Sequence, residues 1–222
     1  MKNVEELASL IDHTLLKPNA SEDEVTQICR EAINYGFWSV CVNPNYVSFA
    51  SHLVSDKSVR VCSVVGFPFG ANTKEVKIHE AKKAIQDGAN EIDMVINLGA
   101  LKSGKYELVK NEIINVVEQV KHQKDTIIKV IIEAGLLTEK EKVLVCELVR
   151  DSGADFVKTS TGFNTSGATT SDVKLLRDVV GPEFGVKASG GIRTYDDALK
   201  MINAGANRLG TSSGVEIINE II

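Results

Sequence analysis

The sequence predicts a closed eight-stranded parallel barrel ringed by helices, a single (β/α)8 TIM barrel of the α/β class with a short N-terminal helix. Three observations predict it. Short β-rich apolar runs alternate with longer stretches of helical period along the whole chain, the pattern of a parallel sheet covered by helices. The same punctuation recurs, a capping residue before a helical stretch and a glycine after it. The chain has 222 residues, which suits one large barrel better than two average domains. The competing open sheet would announce itself with a G-x-G-x-x-G turn after its first strand, and that turn is missing. No Pro- or Gly-rich linker divides residues 1–222, so they read as one domain.

In chain order, residues 12–16 form the first candidate strand. Val25, Ile28, Cys29, Ala32 and Ile33 then fall on one face of a helix. Strands follow at 38–43, 60–67 and 90–97. Val109, Ile113, Val116, Val117 and Val120 mark the apolar face of a second clear helix. Further strands fall at 127–133, 155–160, 184–189 and 207–211, before a helix-like tail. Gly88-Ala89-Asn90, Gly153-Ala154-Asp155 and Gly205-Ala206-Asn207 each join a helix to a strand, with Gly36-Phe37-Trp38 as a weaker copy. Glycine past a helix end supplies the left-handed residue that closes it. N-cap signals stand at the opposite junctions: Ser21 with Glu24, Asn72 with Glu75, Thr138 with Glu141, Thr194 with Asp197 and Ser213 with Glu216.

Composition narrows the function. Lys plus Arg number 25 and Asp plus Glu 30, a net charge of −5, which lacks the basic excess of a nucleic-acid binder. No apolar run approaches the roughly 18 residues that span a bilayer. The first residues lack the apolar core of a signal peptide. Cys29, Cys41, Cys62 and Cys146 are scattered, as expected of reduced thiols in a cytoplasmic protein. His13, His52, His79 and His122 show no metal-ligand spacing, so no metal is expected.

The strands carry charges where a strand buried on both faces should be apolar. Ile92, Met94 and Ile96 share one parity, and Glu91, Asp93, Val95 and Asn97 the other. Lys129 and Glu133 oppose Ile128, Val130 and Ile132 in the same way; Lys158 and Lys187 sit in later strands. Side chains alternate across a strand, so the apolar parity should face the helices and the polar parity the barrel axis. That places Asp93, Lys129, Glu133, Lys158 and Lys187 in one interior, with Asp12 added from the first strand. Each lysine alone could snorkel to the rim; the whole set points to a functional site.

A lysine becomes nucleophilic when it loses its proton, so its reference pKa of about 10.4 has to fall. Desolvation and a neighbouring cation both act in that direction. Such an amine attacks a carbonyl and forms a Schiff base, and the iminium then draws electrons from an adjacent carbon. Asp93 is placed to move protons, directly or through water. The set therefore suggests a lyase or isomerase working through an imine, without cofactor. Small residues follow three consecutive strands: Gly162 in Thr159-Ser160-Thr161-Gly162, then Ser189-Gly190-Gly191, then Gly210-Thr211-Ser212. Their backbone N–H groups suit a phosphate, and loops after strands seven and eight are the recurring phosphate site of this fold. The residues alone leave open whether Lys158 or Lys187 is the nucleophile.

Asp12-His13-Thr14-Leu15-Leu16-Lys17-Pro18, Val40-Cys41-Val42-Asn43-Pro44, Glu91-Ile92-Asp93-Met94-Val95, Lys129-Val130-Ile131-Ile132-Glu133, the stretch from Phe156 to Gly162 and the stretch from Val186 to Arg193 together resemble the deoxyribose-phosphate aldolase family. The similarity runs over nearly the whole chain and is most specific around Lys158 and Lys187. It implies a cytoplasmic class I aldolase, a carbon–carbon lyase of deoxyribose phosphate and nucleoside catabolism. Such an enzyme reversibly cleaves 2-deoxy-D-ribose 5-phosphate to D-glyceraldehyde 3-phosphate and acetaldehyde, and the resemblance also implies a homo-oligomer. By the family motif Lys158 is the Schiff-base lysine, Lys187 the second lysine that perturbs it and Asp93 the acid/base carboxylate. Asp12, Lys129 and Thr159 fall in supporting network roles. Phe163 stands where some members carry lysine, and the sequence ends Asn219-Glu220-Ile221-Ile222 where some carry a tyrosine. Two other readings fit the same residues: another phosphosugar barrel, whether a different lysine aldolase or an isomerase, and a non-catalytic phosphometabolite-binding barrel, which has no need of buried lysines.

Overall fold

The computed structural model describes residues 3–55, 57–121, 126–164 and 167–222; His122 lies outside them. Eight parallel strands close into a barrel in chain order: β1 (Ile11–Leu15), β2 (Ser39–Val42), β3 (Arg60–Val65), β4 (Glu91–Val95), β5 (Ile127–Ile131), β6 (Phe156–Lys158), β7 (Gly185–Ser189) and β8 (Arg208–Thr211). Pairing of Asp12 with Gly210 seals β1 to β8. The helices are α1 (Val4–Ala8), α2 (Glu22–Tyr35), α3 (Val47–Leu53), α4 (Lys74–Gln86), α5 (Leu98–Lys102), α6 (Tyr106–Lys121), α7 (Glu139–Arg150), α8 (Thr170–Val180), α9 (Tyr195–Asn203) and α10 (Gly214–Asn219).

The parity argument accounts for the packing. Ile92, Met94, Ile128 and Val130 are fully buried and belong to the apolar layer between sheet and helices. Asp93 pairs in register with Lys129, and Lys158 with Lys187, so the polar parity shares the barrel interior. Ser21, Thr138 and Thr194 each close a reciprocal capping box. Gly36, Gly88, Gly153 and Gly205 all take positive φ where helices end.

Two expected caps differ. Thr73, not Asn72, precedes α4, which puts Glu75 at the second helical position, too near the cap to close a box. Ser213 does precede α10, but its backbone (φ −107°, ψ 32°) is not extended and its side chain makes no cap bond. Capping boxes or bonds at Asn3 and Thr169 were not anticipated.

The amino end of the barrel has a floor. Glu91, Arg60, Phe156 and Arg208 each open a strand there. The guanidinium groups of Arg60 and Arg208 lie 4.5 and 4.3 Å from the Trp38 ring centroid, within cation–π range. Trp38 also donates its Nε1–H to Glu91 Oε1 at 2.6 Å.

Candidate active site

Asp93, from the middle of β4, is the hub of the interior. Its Oδ1 accepts from Lys129 at 2.7 Å. Its Oδ2 accepts from both Lys158 and Lys187, each at 2.7 Å. The two amino nitrogens on neighbouring strands therefore share one oxygen atom. Lys187 also contacts Asp12 Oδ2, whose other oxygen accepts from Ser39 at 2.8 Å and Arg208 at 3.0 Å. Lys129 is shared in turn with Glu91 Oε2 at 2.6 Å.

Burial costs these charges several kcal/mol each unless they are matched, and the matching decides their protonation. Burial works against ionised Asp93, but Lys129, Lys158 and Lys187 outweigh it and hold its carboxyl well below the usual range. Asp12 is lowered the same way, burial being overcome by Lys187, Lys129 and Arg208. Burial acts to lower Lys187, yet Asp12 and Asp93 hold it above the ordinary value. Lys129 is likewise raised against burial, chiefly by Asp93. Burial beside another cation thus does not depress Lys187, because Asp12 and Asp93 both touch it; Lys129 is held by Glu91, Asp93 and, at 3.8 Å, Asp12.

A cavity of about 280 Å³ opens at the carboxyl ends of the strands. Lys158 lines it and Lys187 does not. Gly162 after β6, Ser189, Gly190 and Gly191 after β7, and Gly210, Thr211 and Ser212 after β8 all line it. Gly162 and Gly190 come together there: a Cβ on Gly190 (φ 87°) would lie 2.8 Å from Gly167 Cα and 3.3 Å from Gly162 Cα. Lys17 and Arg193 add two cations to the wall, which the sequence reading did not select. Phe163 is half exposed at the rim and meets Phe67 edge-on, ring centroids 5.3 Å apart.

Three placements differ from expectation. Glu133 does not join the lysines. β5 ends at Ile131, and Glu133 takes a left-handed conformation (φ 52°) that turns it away. Its carboxylate instead accepts from Thr161 Oγ1 at 2.5 Å and Asn164 Nδ2 at 3.0 Å, holding the turn after β6. Thr159 lies outside the ionic network; its hydroxyl accepts from Ser189 N at 3.1 Å and ties β6 to β7. Glu91 and Arg208 belong to the network and were missed; Glu91 carried a signal, since it shares the parity of Asp93. Among the described residues one trio of metal-type donors converges, Cys41, Cys62 and Asp93, with ligand atoms within 4.8 Å. Both Asp93 oxygens there are engaged by ammonium groups. No helix among the described residues is long and apolar enough to cross a membrane.

A model of the DeoC/LacD family aldolases matches residues 7–220. A deoxyribose-phosphate aldolase of Caldanaerobacter subterraneus subsp. tengcongensis is 57% identical over 214 residues, 96% of this chain and 93% of the relative. One of Thermococcus gammatolerans is 59% identical over 215 residues, covering 96% and 95%. Among solved structures, a deoxyribose phosphate aldolase of Aeropyrum pernix, described as a unique tetramer, superposes with a TM-score of 0.92. It is 41% identical and covers 98% of this chain and 92% of that one.

Proposed function

The chain belongs to the DeoC/LacD aldolase family, and from that premise we propose which residues carry its chemistry. The enzyme is a class I aldolase that reversibly cleaves 2-deoxy-D-ribose 5-phosphate to D-glyceraldehyde 3-phosphate and acetaldehyde. Lys158 is the nucleophile. The observation that carries this choice is that two amino groups share Asp93 Oδ2 and only that of Lys158 borders the cavity. The charge count supports it. Lys129, Lys158, Lys187 and Arg208 face three carboxylates, Asp12, Glu91 and Asp93, so loss of one proton balances the interior, and Lys158 is the lysine that can release it to the cavity.

The free amine adds to C1 of the open-chain sugar, and the carbinolamine loses water to give an iminium. Removal of the C3 hydroxyl proton then breaks the C2–C3 bond. Its electrons pass into the iminium to form an enamine, and D-glyceraldehyde 3-phosphate leaves. Protonation at C2 and hydrolysis release acetaldehyde and restore Lys158. Lys187, held protonated between Asp12 and Asp93, repels a second charge on Lys158 and supplies a proton. Asp93 orients both amino groups and accepts protons, through water where the reacting atom is out of reach. The glycine turns after β6, β7 and β8 hold the phosphate by backbone N–H groups. Asp12 and Lys129 keep Asp93 and Lys187 in place. The tetrameric relative supports a homo-oligomer.

Borohydride with acetaldehyde tests the assignment. An adduct on Lys158 that is lost in Lys158→Leu is expected, with acetaldehyde released from the phosphosugar in the presence of chelator. An adduct that persists in the variant, or binding without turnover, refutes it.

A further inference from the structure

We infer that Glu91, on the barrel floor, is a positioning residue for the imine chemistry: acting through Lys129 and Asp93, its charge sets the pH at which Lys158 becomes reactive. The inference rests on the reading of Lys158 as the nucleophile. Glu91 is fully buried at the first residue of β4, two positions before Asp93. Lys129 Nζ stands between them, 2.6 Å from Glu91 Oε2 and 2.7 Å from Asp93 Oδ1. Asp93 Oδ2 then holds Lys158 at 2.7 Å. One chain of contacts thus runs from the floor to the nucleophile, and a second, through Arg208, Asp12 and Lys187, reaches the same Asp93.

Lys129 divides its charge between two carboxylates. With Glu91 neutral, Lys129 serves Asp93 alone, and Asp93 holds the Lys158 ammonium less tightly. The interior also gains one net positive charge. Both effects favour the free amine, so the sign is unambiguous. The remaining groups do not cancel it. Asp12, 3.8 Å from Lys129, and Lys187 keep their charges on the far side of Asp93. Arg208 and Arg60 face Glu91 itself, at 3.2 and 3.7 Å. Cys62, 3.4 Å from Lys129, is kept uncharged because burial and its neighbour Cys41 push its thiol up.

The pH dependence of kcat/KM decides the matter. Glu91→Gln is expected to move the acid limb down by about one pH unit, the effect of one unit charge at roughly 10 Å and an effective dielectric of about 20. Arg208→Met, which removes a cation, is expected to move it up. A limb that stays in place or moves up in Glu91→Gln overturns the inference and leaves a structural role only. Trp38 supplies a reading that needs no substitution. It is the single tryptophan of the chain and donates to Glu91. Its emission in the wild-type protein is expected to titrate with the acid limb, and a flat emission across that limb overturns the coupling even if neither variant folds. Borohydride trapping of the wild-type imine is the control. Its failure strikes the aldolase reading, whereas trapping without a shift strikes Glu91 alone.

Discussion

Replacing Lys187 by methionine removes a buried charge while keeping an unbranched side chain only one atom shorter. Lys158 and Lys187 each lie 2.7 Å from Asp93 Oδ2, so their nitrogens are no farther apart than twice that distance. At an effective dielectric of about 20, two unit charges so placed repel by about 3 kcal/mol or more. That is equivalent to roughly two pH units. The variant also leaves Asp12 and Asp93 each short of a cation, which favours a charged Lys158 and acts in the same direction. The acid limb of kcat/KM should therefore move up by about two units, with activity on its acid side falling about 100-fold from this cause alone. The assay is phosphosugar cleavage between pH 5.5 and 10, with circular dichroism to confirm the fold and borohydride trapping to confirm that the amine still reacts. A folded variant with reduced activity and an unmoved limb would show that Lys187 acts as a proton donor only, and would remove the electrostatic reasoning.

Asp93→Asn leaves three ammonium groups around a neutral amide. Breaking buried pairs of this kind costs about 3–5 kcal/mol, so calorimetry should find Tm lower by roughly 6–20 °C; an unchanged Tm would mean that the lysines had found other partners. Asp12 and Asp93 are lowered on folding, so their stabilisation is complete above about pH 4 and is lost as pH falls toward their folded values. Lys129 and Lys187 are raised, so theirs is complete below about pH 10 and is lost as pH rises through their folded values. These four groups therefore add no slope to the urea midpoint between those limits, and a midpoint that falls as pH rises from 5 to 9 would contradict both assignments. Phe163→Lys places a cation on the cavity rim and should lower KM for the phosphorylated sugar several-fold, with no change for unphosphorylated 2-deoxyribose. An equal change for both sugars would place the phosphate elsewhere.

Much of the interior was legible because strand alternation is strict. Asp12, Asp93, Lys129, Lys158 and Lys187 converge as their parity requires. Parity holds only while the backbone stays extended. It was carried two residues past Ile131, and Glu133 had already turned into the left-handed region. Depth along the barrel axis is not encoded in one strand either. Glu91 and Arg208 begin their strands, and strand stagger brings both beneath Asp12 and Lys129, a contact that parity alone does not specify. Helix caps show the limit from local chemistry: Asn72 and Thr73 can each cap a helix, and only the entry of the chain into α4 decides between them.

Among the described residues, Trp38 with Arg60 and Arg208 covers the amino end of the barrel, and the cavity that Lys158 borders opens at the other. Whatever is tethered to the lysine at the bottom lies beneath whatever the glycine turns hold above it. In the proposed reaction the phosphorylated fragment must therefore depart before the two-carbon fragment is set free, and in the synthetic direction it must enter second. In the proposed reaction the covalent bond to Lys158 and the shape of the container impose the same kinetic order.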